Sequence, residues 1–149
     1  MSITAVLVAC LFLNGCVAQR PSMSDELALA RQMLVSESGS EPAATHANNI
    51  QFAAHDVSFL EPGRISGVEW ALLMLMVHGN RDDADLTKRF ISSSCRNVRR
   101  CAVAGYLSIL AKHGNVEASL PFLTDEDVEI RGIAHDIYLQ RSTGDGAEK

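Results

Sequence analysis

Aromatic side chains are scarce, 5% of the 149 residues, with one tryptophan, two tyrosines and five phenylalanines. Only Phe90 and Tyr106 stand among the basic residues of 86–112, too few to expect nucleic-acid binding by stacked bases. Charge of one sign is also missing in bulk, because 13 Lys and Arg stand against 18 Asp and Glu for a net charge of −5. That balance excludes a polyanion-binding role resting on net charge alone. Period-two alternation is nowhere sustained, so a sheet is not expected. The chain lacks a Gly-x-Ser-x-Gly elbow, a phosphate-cradling Gly-rich loop and a His-Glu-x-x-His pair, and no catalytic residue is assigned. It also lacks Cys-x-x-Cys, and its five histidines show no paired i,i+4 spacing, so neither a metal nor a cofactor is expected. What is present is enough for one core. With 47% apolar residues, 149 residues suit a single folded domain and disfavour disorder along most of the length.

The longest apolar run, Ile3 to Leu13, has eleven residues. A membrane-spanning helix needs about 20, whereas a run of this size has the length of a signal-peptide hydrophobic region. Directly after it, Leu13-Asn14-Gly15-Cys16 resembles the lipobox of bacterial lipoprotein signal peptides. That resemblance implies removal of residues 1–15 and a lipid anchor on Cys16. Val17, in the place of the aspartate that retains many such proteins in the inner membrane, implies an outer-membrane anchor facing the periplasm. Two alternatives stay open: cleavage after Ala18 to release a soluble protein, or an ordinary buried apolar segment with a chance Gly-Cys.

Of the four cysteines, Cys10 would leave with the signal and Cys16 would be acylated, leaving Cys95 and Cys101. Two thiols in an oxidising compartment often pair, and so small a loop would stabilise by roughly 2 kcal/mol. Pairing needs alpha carbons within about 7 Å, closer than six residues of continuous helix at about 1.5 Å per residue allow. A disulfide and two free thiols are therefore both open.

Self-similarity organises the remainder. His78-Gly79-Asn80 recurs as His113-Gly114-Asn115, and an aromatic–aliphatic pair recurs as Phe59-Leu60, Phe90-Ile91 and Phe122-Leu123. Apolar residues at three- and four-residue steps predict second helices around Leu72 to Met76, Val98 to Leu110 and Ile130 to Tyr138. Weaker first helices are expected near 43–58, 82–92 and 116–123. A further helix from Ser24 to Val35 has Ser22 or Ser24 available as its cap. Gly79 and Gly114 suit left-handed positions that end helices, while Trp70, beside Leu73, belongs to the core. The expected fold class is all-α. Residues 16–42 read as tether, first helix and linker, 43–145 as the repeat domain and 146–149 as a tail.

The stretch from Leu120 through Asp125, Asp127, Ile130, Arg131 and Ala134 to Tyr138 resembles a HEAT-like repeat of the kind also found in phycocyanobilin-lyase relatives. Extended over residues 43 to 145, the resemblance implies a short α-solenoid of about three helix pairs plus an N-terminal helix. It further implies that the repeated arginine is structural, pairing with turn acids and backbone carbonyls between neighbouring repeats: Arg131 clamps Asp125 or Asp127, and Arg99 and Arg64 are the corresponding candidates.

Charge is banded along the chain. Residues 86–112 hold six basic and no acidic side chains, between acidic stretches of net −6 and −5. The band neutralises its neighbours in the stack, or its members Lys88, Arg96 and Arg100 form an exposed patch for an acidic partner. These readings converge on a lipid-anchored, non-catalytic protein-binding module serving an envelope machine. An immunity or inhibitor protein against a periplasmic toxin enzyme is the alternative.

Overall fold

A computed structural model describes residues 22–36, 58–60 and 65–142. Among them every regular element is helical and none is a strand: α1 (Met23–Ser36), α2 (Gly67–His78), α3 (Asp83–Lys88), α4 (Arg96–Lys112), a 3-10 segment (Val116–Phe122) and α5 (Val128–Ser142). The expected first helix near 43–58, Arg64 and the segment containing Cys16 lie outside the described residues.

The first two helices start for local reasons. Ser22 opens α1 by accepting the Asp25 N–H at 3.3 Å while its own N–H donates to the Asp25 carboxylate at 3.1 Å. Ser66 and Glu69 form the same reciprocal arrangement at the start of α2, at 3.3 and 2.6 Å. Nearly all of α2 is buried, from Gly67 through Leu75, as its almost unbroken apolar sequence requires. Trp70 belongs to that core with only 6% of its surface exposed.

The two recurring glycines end their helices by different means. Gly114 has φ 90°, and the Asn115 and Gly114 N–H groups return to the Leu110 and Ala111 carbonyls, the left-handed ending expected there. Gly79 instead is extended, at φ −65° and ψ 153°, so the left-handed expectation is corrected at this position. Glycine is needed there because a Cβ would collide with the Leu75 carbonyl oxygen. The α2 carbonyls left over at Met76 and Val77 accept from Lys112 Nζ at 2.9 and 2.7 Å.

The first helices are short. Helix α3 stops at Lys88 rather than near 92, and the segment expected as a helix over 116–123 is 3-10. Pro121 accounts for the latter: it has no N–H to donate and its ring clashes with the carbonyl four residues back.

Helix α4 is central, touching α2 and α3 on one side, and α5 and the 3-10 segment on the other. Gly105 permits the close approach, since a Cβ there would stand 3.2 Å from Thr87 Cγ2 and 3.4 Å from the Leu72 carbonyl. Toward α2 the core includes Leu72, Leu73, Leu75, Cys101, Ala102 and Ile109. Toward α5 a smaller cluster holds Val103, Leu107, Ile130 and Ala134. Helix α1 lies over α2 through Ala30 and Leu34. The Arg31 fork fastens it to Asp83, at 2.7 and 2.8 Å.

Candidate functional site

The amino ends of α4 and α5 come together at one cleft. Helix α4 starts badly by itself: its N-cap Cys95 makes no side-chain capping bond, no acid lies in its first turn, and Arg96, Arg99 and Arg100 crowd there. Cations at a helix N-terminus oppose the macrodipole. The anions that offset them come from the turn before α5. Arg99 donates from both terminal nitrogens to Asp125, at 3.1 and 2.6 Å, and Arg100 forks onto Asp127 at 2.9 and 2.9 Å.

Both arginines also take carbonyls from earlier turns. Arg99 Nε donates to Ile91 at 3.2 Å and Arg100 Nη1 to Phe59 at 2.8 Å. Those acceptors belong to two of the recurring aromatic–aliphatic pairs, Phe90-Ile91 and Phe59-Leu60, so the ladder ties the turns of successive sequence copies together. The same carboxylates organise the start of α5: Asp125 accepts the Asp127 N–H and Asp127 accepts the Glu129 N–H, each at 2.9 Å. The Arg100 guanidinium, with help from that N–H, holds Asp127 below the usual carboxylate range.

Over the ladder opens a cleft of about 720 Å³, walled by Ser92, Ser93 and Ser94 on one side and Glu126 and Val128 on the other. Arg96 projects beside it with 65% of its side chain exposed, its Nε 3.9 Å from Asp127. On α3, Lys88 Nζ stands 6.0 Å from the centre of the Tyr106 ring.

Of the expectations for the arginines, one is corrected and one holds in part. Arg100 is not an exposed partner-binding residue: its side chain is 9% exposed and its fork is filled by Asp127. Lys88 and Arg96 remain exposed. Arg131 does meet Asp125, but through the backbone carbonyl and not the carboxylate: its Nη1 donates to the carbonyls of Asp125 and Glu126, at 2.6 and 3.2 Å. The carboxylates go instead to the preceding helix. Of the two readings for Cys95 and Cys101, the structure carries free thiols, Cys95 exposed and Cys101 buried in α4. Burial pushes the Cys101 thiol up, away from the reactive thiolate.

Sequence reasoning missed the Arg31–Asp83 pair and the Lys112 cap. It also missed that neighbouring arginines 99 and 100 pair with acids 26 and 27 residues on, where the signal was an Asp-x-Asp turn following the acid-free band. Among the described residues no group of three His, Cys, Asp or Glu is placed to hold a metal, and no helix is long and apolar enough to cross a membrane. Comparison with family models, curated proteins and solved structures finds no match to the chain.

Proposed function

We propose that this chain is a non-catalytic protein-binding module, anchored through a lipid on Cys16 to the outer membrane and facing the periplasm, where it serves as an accessory or assembly factor of an envelope machine. In this reading its helices form a short α-solenoid of three HEAT-like pairs capped by α1, and it uses no cofactor and binds no nucleic acid.

The observation that carries the binding reading is the state of the cleft's charged floor. The carboxylates of that floor, Asp125 and Asp127, are each bound by a guanidinium and a backbone N–H, so their oxygens are committed to holding α4 and α5 together. Such a floor supports recognition by the groups around it, the exposed Arg96, Ser92, Ser94, Glu126 and Val128, with the exposed Lys88 as a further cation on α3. The lipobox at Leu13–Cys16 supports the anchor.

Affinity capture from detergent-solubilised membranes tests the module. A specific protein should be enriched by the wild-type chain and lost with Lys88→Glu plus Arg96→Glu, both exposed and neither a member of the core. Absence of any specific protein contradicts the reading. Growth with an alkynyl palmitate analogue tests the anchor separately. Label should appear on the wild type and vanish in Cys16→Ala, and label that persists in that variant contradicts acylation at Cys16.

A further inference from the structure

The face by which α4 receives the next helical segment recurs on α5. Displaced by 32 residues, Arg99, Val103, Tyr106 and Leu107 of α4 correspond to Arg131, His135, Tyr138 and Leu139 of α5, and both arginines are the fourth residue of their helices. On α4 this face is covered. Val103 and Leu107 are 0% and 1% exposed, Tyr106 packs in the same cluster, and Arg99 takes the carboxylate of the turn that opens α5. On α5 the same positions are open: Tyr138 is 38% exposed, Leu139 44%, and the His135 side chain 61%. Val128, one turn before Arg131 on that stripe, is 61% exposed. The Arg131 guanidinium donates to two carbonyls of the turn before its helix but meets no carboxylate among the described residues.

We propose that α5 is a docking face for a helix of another protein, one whose opening turn carries an Asp-x-Asp pair or its equivalent and whose first turns carry aliphatic residues at i, i+4 and i+7. This goes beyond the cleft reading above, because the face lies along α5 and does not use the cleft's Arg96 or serines. The carboxylate would sit on the Arg131 fork as Asp125 sits on Arg99, and the aliphatic stripe would cover Tyr138 and Leu139 as Ile130 and Ala134 cover Val103 and Leu107. A second copy of this chain does not meet the need. Its Asp125 and Asp127 are already held by Arg99 and Arg100, and the apolar face of α1, whose opening turn is also acidic, is committed to the core through Ala30 and Leu34.

A stapled, fluorescein-labelled helical peptide of residues 123–139 carries the required turn and stripe and serves as the probe. Its binding to the full chain is read by fluorescence polarisation. Saturable binding should weaken at least tenfold with Arg131→Glu or with Asp125→Asn plus Asp127→Asn in the peptide. It should weaken equally with Tyr138→Asp, an exposed change whose unaltered Tm shows that folding is intact. No saturable binding, binding indifferent to these changes, or binding lost only with Lys88→Glu plus Arg96→Glu would overturn the proposal. The peptide measurement involves no cellular partner, so its failure stands apart from failure of the membrane capture.

Discussion

Helix α4 is held on its two sides by different means. Toward α2 it meets a helix buried along most of its length, and contact is aliphatic against aliphatic. Toward α5 the buried apolar cluster is small and the join is completed by Arg99–Asp125 and Arg100–Asp127. The first contact is non-directional and rests on area removed from water. The second depends on geometry and on both partners being charged. A buried pair is a poor source of net stability, because desolvation offsets much of the attraction, yet breaking it leaves a charge stranded. The α2 side therefore sets how stable the fold is, and the ladder sets where the α5 segment sits.

Loss of packing on the α2 side should have the largest effect. Leu73 is fully buried, and Leu73→Ala should cost about 4 kcal/mol in the global unfolding free energy measured by urea denaturation. Asp127→Ala should cost about 3 kcal/mol, since it strands the Arg100 guanidinium, and the loss should be concentrated in α5. The ladder also predicts a pH dependence. With its folded pKa depressed, Asp127 contributes stability that is present above the ordinary carboxylate range and lost as pH falls through and below it. Loosening of α5 should then precede that of α2 on acidification, as hydrogen exchange would show. Ser66→Ala, which removes only the cap of α2, should cost about 1 kcal/mol. With no energetic cost at all, Cys95 should react with a thiol reagent in the native protein while Cys101 reacts only on unfolding.

The sequence made the apolar side of this comparison legible and the charged side only in part. Three- and four-residue periodicity placed α1, α2, α4 and α5 because burial of a stripe is a local property of a helix. The segment over 116–122 kept its place but not its type, since Pro121 forbids the α-helical bond. Arginine 100 was misjudged for a physical reason: whether a cation on α4 faces solvent depends on Asp127, which arrives from 27 residues away. The resemblance to a HEAT-like repeat implied carboxylates for Arg131, six and four residues distant, while the fold brings the preceding helix to them. The repeat of Phe59, Phe90 and Phe122 did mark equivalent turns, two of which supply carbonyls to the ladder.

Residue-resolved hydrogen exchange on Asp127→Asn tests the division most directly. If the ladder positions α5 and the apolar core carries the remainder, exchange at Ile133 and Ala134 should quicken at least tenfold, about 1.4 kcal/mol of local stability, while Leu72 and Leu73 keep their wild-type rates. Equal quickening in α2 and α5, or no change in either, would contradict it.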